Sequence, residues 1–407
     1  MSAVIRPIPP NPRAALDAFD GGDSGHTLDQ AAQAAARVAA QFADAVDRDA
    51  RFPAEALEAM REQRLLGATV PRELGGSGAT LAAVASACRI LGKACSAAGM
   101  VFAMHHIKVA STIAHASAAP WHRAFLEQLA RNQWLVASAT SEDGTGGNLR
   151  KSQCAVEVSG GRFTLRKLAP TISYGAHADV IIATARRDSS APASEQVLVT
   201  LRKEDLALTV RGGWDTLGMR GTCTDSFILD GQGAIEQIFP VPFADIAETS
   251  MVPDSHILWS SLWVGIASDA YARAQRYFRE QSPNGDSPAG RRIAEALSLL
   301  QAMQARIDSA LHRRANAHPQ RSWSECMADA AQINALKTFV SNSALGVAEH
   351  AMMAIGMAAY KNGTPFSLGR HLRDLHAAPL MINNDRIEIN TARLILAQRP
   401  DHEVSAR

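Results

Sequence analysis

The chain reads as an α+β protein: a helical domain, then a β domain, then a second helical domain. Two changes of texture predict this. Near residue 136, Ala-rich text with apolar residues three and four apart gives way to short alternating β-branched runs, and near residue 250 the helical spacing returns. The expected division is a disordered tail over 1–24, an N-terminal helical domain over 25–135, a middle β domain over 136–245 and a C-terminal four-helix bundle over 250–400. A length of 407 residues with 47% hydrophobic content is enough for more than one core.

The first helical stretch is "DQAAQAAARVAAQFADAVDRDA", where Val38, Phe42 and Val46 fall on one face. "FPAEALEAMREQRLL" follows, with Pro53 at a first-turn position and Leu57, Met60 and Leu65 as its stripe. Pro71, Gly75, Gly76 and Gly78 interrupt the pattern before "ATLAAVASACRILGKA" and "AAGMVFAMHHIKVASTIAHA" resume it. In the middle region "CAVEVSGGRFTLRK" alternates around Gly160 and Gly161, which predicts a hairpin. "DVIIATARRD", "EQVLVTLRK", "LALTVRGGW" and "DSFILDG" read as further strands. Four long amphipathic segments with Gly, Pro and Asn at their joints then predict an antiparallel bundle.

Charge and cysteine usage exclude several classes. With 41 Lys and Arg against 40 Asp and Glu the formal charge is +1, without a basic run that would attract nucleic acid. Cys88, Cys95, Cys154, Cys223 and Cys326 are an odd, scattered set, so neither a disulfide framework nor a thiolate metal site is expected, and a reducing cytoplasm is. No N-terminal apolar core of a signal peptide is visible, and apolar runs are broken before the ~18 residues that a membrane span needs.

The order of segments and the residues at their joints resemble the acyl-CoA dehydrogenase family over roughly residues 50 to 400. "LLGATVPRELGGSG", "ASATSEDGTGGNL", "APTISYGAHADVIIATAR" and "GWDTLGMRGTCTDSFILDG" carry the resemblance by standing in the family's order and separation. It implies a middle antiparallel β-barrel domain between the two helical ones and a homotetramer or homodimer. It also implies FAD, an acyl thioester substrate on CoA or a carrier protein as in fatty acid metabolism, and an acceptor such as an electron-transfer flavoprotein. In such chemistry a polarised thioester loses its α-proton to a base while a flavin takes hydride from the β-carbon.

By the same resemblance Ser141, before Glu142, would bond the flavin's polar edge, and Thr140 would offer its backbone. Thr171 and Ser173 stand where relatives have Trp-x-Thr against the ring, so a bulky wall has become a small hydroxyl. Gly144, Gly146 and Gly147 form a turn whose N–H groups could approach a pyrophosphate. Arg220 of "GMRG" and Gly356, with Tyr360 after it, match positions near the cofactor. Relatives' Arg-x-x-Phe-Gly is replaced by a stretch containing Pro283, Gly285 and Pro288, with Arg291 or Arg292 as substitutes.

The base is the difficulty. The family keeps a Glu shortly after the "RD" before the last helix or on the first bundle helix, and here those places hold Ile382 or Asn383, and Ser255 beside Asp254. An amide takes up no proton at neutral pH. The candidates are Asp385, Glu388, Asp254, and His105 with His106. For Asp385, burial beside a ring would raise its pKa, and the competing reading is a helix start capped by Asn383 with Asp385 and Arg386 in its first turn. Each histidine competes with a role as a satisfied interior residue. Two further functions stay open: a flavin-dependent monooxygenase on the same scaffold, which needs no α-proton base and is fed by a separate flavin reductase, and a non-catalytic relative that binds flavin or acyl groups.

Overall fold

The structure, a computed structural model, describes residues 24–281, 289–318 and 322–397; the expected disordered tail lies outside them except for Ser24, which opens the first helix. Five helices come first: α1 (Ser24–Arg48), α2 (Ala54–Glu62), α3 (Leu81–Ala94), α4 (Ser96–Ala116) and α5 (Pro120–Asn132). The α1 face that packs most deeply is made of Ala32, Ala35, Ala39, Ala43 and Val46, whereas Val38 and Phe42 are half-buried beside it. Small side chains let α1 lie close on α3. Thr80 caps α3 by accepting from the Ala83 N–H. Nearly every side chain of α4 is buried, so it is the central rod of this region.

Seven strands follow: β1 (Val136–Ala139), β2 (Glu157–Ser159), β3 (Arg162–Ile172), β4 (Val180–Arg186), β5 (Gln196–Arg202), β6 (Leu206–Gly212) and β7 (Asp225–Ala234). The predicted hairpin joins β2 to β3 by a two-residue turn, with Ser159 opposite Arg162 and left-handed φ of +56° and +76° at Gly160 and Gly161. Positive φ at both central residues matches the twist of the flanking strands, which is why two glycines stand there. The expected antiparallel barrel is not what forms. The strands make two open sheets, β1-β4-β5 and β2-β3-β7-β6, and β1 pairs with β4 in parallel. The parallel step is possible because residues 140–179, which include β2 and β3, form a connection long enough to cross over before β4. The sheets pack with Leu201 against Gly231 and Leu165.

After the short α6 (Phe243–Ile246), a π-helical turn over Ala247–Met251 leads into α7 (Val252–Gln281). The bundle continues with α8 (Ala289–Ala315) and α9 (Trp323–Ile355), the latter opened by a capping box of Ser322 and Glu325. A short α10 (Met357–Tyr360) precedes α11 (Gly369–Leu380) and α12 (Asn384–Leu396). The fourth bundle helix is therefore broken. Pro379 lies near the end of α11, Ile382 takes a left-handed φ of +45°, and Asn383 restarts the helix by accepting from the Arg386 N–H.

The three regions are tied through backbone approach as well as side chains. A Cβ on Gly218 would lie 2.1 Å from the Arg373 carbonyl oxygen, and the neighbouring Met219 N–H donates to Asp374 at 2.6 Å, locking the β region onto α11. On α7, a Cβ at Gly265 would lie 2.2 Å from the Arg89 carbonyl oxygen of α3. Gly265→Ala should therefore push α3 and α7 apart and cost about 1–3 kcal/mol, as overpacked contacts do, measured as a lowered urea midpoint at unchanged slope.

Candidate active site

A buried ion pair organises the loop that follows β1. Lys167 of β3 is fully buried and donates to Glu142 at 3.0 Å, and also to the Thr184 carbonyl and hydroxyl oxygens at 3.0 and 3.2 Å. Glu142 further accepts from the Ser152 hydroxyl at 2.6 Å and from the N–H groups of Gln153 and Cys154 at 3.1 and 2.5 Å. Burial alone would raise the Glu142 carboxyl. The Lys167 ammonium and the donated hydrogen bonds outweigh it and hold the group below its ordinary value.

Beside this anchor lie two sets of bonded hydroxyls. Thr140, Ser141, Thr171 and Ser173 are all half-buried. The Ser141 hydroxyl lies 2.8 Å from both the carbonyl and the hydroxyl oxygen of Thr171, and Ser173 accepts from Thr224 at 2.9 Å, which itself meets Thr222 at 2.8 Å. Gly144, Gly146 and Gly147 have left-handed φ of +79°, +58° and +73°, and nothing lies within 4 Å of a Cβ built on the first two. From across the domain boundary Arg386 of α12 donates to the Gly146 carbonyl at 2.7 Å. Half-buried hydroxyls, a glycine turn and a guanidinium are groups that a planar heterocycle carrying a phosphate can use.

The other predicted residues fall outside these groups. Asp385 is exposed in the first turn of α12, so the burial expected of a base there is not observed, and Asn383 is the helix cap. Glu388 is exposed one turn further. Asp254 is fully buried in an ion pair with Arg314 at 3.2 Å. His105 is buried with both nitrogens engaged: Nδ1 accepts from the Val136 N–H at 3.1 Å, and Nε2–H donates to the Leu66 carbonyl at 2.7 Å. Burial holds it down to about 4, against a small opposing effect of the Leu66 carbonyl, so it is a neutral structural brace. His106 is similarly held by Thr69 and the Leu65 carbonyl. Arg220 donates to the carbonyls of Asp47 and Thr216, which ties the loop to α1. Gly356 ends α9 with a φ of +73° and open space around it. Arg291 pairs with Glu295 and Arg292 lies 3.5 Å from His350, both within the bundle, while Pro283, Gly285 and Pro288 lie outside the described residues.

Sequence reasoning missed three buried lysines. Lys167 was visible in principle, because strict alternation along β3 places it on the inward face between Leu165 and Ala169. Lys337 of α9 is fully buried, and Lys108 of α4 is buried with Met251 Sδ as its hydrogen-bond partner at 3.2 Å. Burial, with the Lys167 charge adding, pushes Lys108 down to about 7. Among the described residues no group of three or more His, Cys, Asp or Glu could hold a metal, and no helix is long and apolar enough to cross a membrane. Among the described residues no two cysteines form a disulfide.

Comparison with known proteins agrees with this architecture. The profile "Acyl-CoA dehydrogenase, N-terminal domain" matches residues 25–133, and "Acyl-CoA dehydrogenase, C-terminal domain" matches residues 257–385. The chain belongs to the acyl-CoA dehydrogenase family. Within that family it is 27% identical over 354 residues to the amino sugar nitrososynthase DnmZ of Streptomyces peucetius, covering 82% of this chain and 84% of that one. It is 24% identical to the probable acyl-CoA dehydrogenase YngJ of Bacillus subtilis, covering 66% and 69%. The FMN-bound structure of TdsC from Paenibacillus sp. A11-2 superposes with a TM-score of 0.80 at 21% identity over 92% of this chain and 98% of that one, a likeness of fold.

Two outcomes follow from the buried pair. Lys167→Met strands the Glu142 carboxylate and should cost about 3–5 kcal/mol by denaturant titration. Because the folded Glu142 pKa lies below its unfolded value, its contribution is complete above about pH 4.3 and is lost as pH falls through the folded value, so acid unfolding of Glu142→Gln should be flatter than that of the wild type.

Proposed function

We propose that this chain is a flavin-dependent monooxygenase that oxidises a nucleophilic nitrogen or sulfur in a small substrate, using flavin reduced by a separate reductase. One observation carries the reading: among the described residues, no carboxylate at the predicted site is both buried and uncommitted, as a base for an α-proton would have to be. Ile382 stands in the break, Asn383 is a cap, Asp385 is exposed and Asp254 is committed to Arg314. Oxidation at a heteroatom lone pair needs no such base, whereas α,β-dehydrogenation does.

A bound reduced flavin supplies two electrons, so that one atom of O2 enters the substrate and the other leaves as water. The chain's own groups do the rest. Ser141 and Thr171 would hold the polar edge of the ring and Gly146, Gly147 and Arg386 its phosphate, while Thr171, small where a tryptophan would stand, would leave room for the substrate. Support also comes from relatives: DnmZ is named an amino sugar nitrososynthase, and another is a probable FMNH2-dependent monooxygenase, SfnC of Pseudomonas putida. Either FAD or FMN suits these groups.

Dehydrogenation of an acyl thioester, with FAD and an electron-transfer flavoprotein as acceptor, is the second reading, and family membership favours it. One pair of measurements separates them. Anaerobic addition of an acyl-thioester panel should leave the oxidised-flavin absorbance unchanged, and reduced flavin with O2 and a primary-amine sugar should give an oxygenated product. Bleaching by any thioester would sink the monooxygenase reading. Thr171→Trp should lower oxygenation roughly tenfold or more through misplacement of substrate, without loss of fold, as read from product formation and circular dichroism.

A further inference from the structure

The break between α11 and α12 is held from below by one side chain. Lys337 Nζ donates to the carbonyl oxygens of Ala378 and Ile382, each at 3.1 Å, and to Asn384 Oδ1 at 2.6 Å, and it lies 5.6 Å from the centre of the Trp263 ring. The three acceptors come from the end of α11, the break itself and the first turn of α12. Ile382 is β-branched and left-handed, a backbone state that persists only where surrounding contacts impose it. Asn384 is in turn fixed by donating to Ser341 and Asn342 at 3.0 and 3.1 Å. Two residues on, Arg386 reaches the Gly146 carbonyl.

We propose that Lys337 is a positioning residue that clamps the α11–α12 break with Ile382 left-handed, and so sets Arg386 against the glycine turn of the cofactor site. Only the last link rests on the flavin reading. Three oxygen acceptors require three N–H donors, and only the ammonium form has three; the neutral amine has two. Deprotonation therefore leaves one of the three oxygens without its partner.

Burial pushes Lys337 down to about 8, within reach of ordinary buffers. No carboxylate bonds it among the described residues. From α7 the titratable group that feels its charge is His256, held down to about 3 by burial, with the Lys337 charge adding and the Ile333 carbonyl opposing, so it stays neutral throughout. On α11, His371 is bonded to Asp269 and Asp374 to the Met219 N–H; on α12, Asp385, Arg386 and Glu388 are exposed. A lysine with a lowered folded pKa keeps its ammonium, and the clamp, below that value and loses both as pH rises through it.

The test is amide hydrogen exchange of residues 378–387 in the flavin-free chain, expressed as protection relative to intrinsic rates between about pH 6 and pH 10, with flavin affinity measured in parallel by fluorescence quenching. Wild-type protection should fall roughly tenfold as pH rises through the Lys337 transition, the scale of one charge-assisted hydrogen bond. Asn384→Asp supplies a carboxylate and should move the transition to higher pH. Lys337→Met should lack the protection at every pH while α7 and α9 keep theirs; if it does not fold, the Asn384→Asp shift decides. Protection independent of pH in both wild type and Asn384→Asp, or intact in Lys337→Met, overturns the clamp. Flavin affinity that ignores a confirmed transition overturns its link to the cofactor site, and a chain that binds no flavin leaves the exchange result to judge the clamp alone.

Discussion

The pairing of Glu142 with Lys167 is the constraint on which the site depends. Two charges are taken out of water, an expense recovered only because nearly every remaining donor and acceptor is used: Ser152 and two backbone N–H groups on the carboxylate, Thr184 on the ammonium. The geometry this demands joins the loop after β1 to β3 and β4 at one point. Ser141 is thereby brought onto Thr171, and the glycine turn is left projecting toward the bundle. An apolar pair could fill the same volume. It would not dictate which way the loop leaves.

On the bundle side the corresponding constraint is the interruption of the last helix. The two amides of "INND" have separate tasks: Asn383 caps α12 and Asn384 receives Lys337. Neither is a failed acid. The segment is a structural joint, with Asn384 turned inward and its acid, Asp385, turned to solvent.

Much of the fold was legible because periodicity reports burial directly. The strands from Val180 to Ala234 lie where short β-branched runs between turn residues put them, and the hairpin at Gly160 and Gly161 lies where alternation and turn chemistry put it. What alternation cannot report is partner choice, so the parallel β1–β4 pairing and the open sheets were missed: both are set by contacts more than forty residues apart, such as Val136 with Val180. The site was half legible. Ser141 and Thr171 do meet, and the Asn383 cap follows from its position before the helix. Lys337 was hidden, because a lysine between apolar helix positions reads as a solvated side chain until its three acceptors, distant in sequence, are folded beneath it.

The π-helical turn at Ala247–Met251 holds one residue more than an α-helical path of the same rise would need. Its wider loop leaves the Thr249 carbonyl pointing at Arg314, which takes it at 2.9 Å. Such a turn is a store of slack chain. Loss of a single codon there would shorten the entrance to α7 yet preserve the phase of everything from Val252 onward, whereas the same loss a few residues later would rotate Trp259 and Trp263 off the core. The register of the bundle beyond Val252 is thus insulated from a one-residue change of length in this turn.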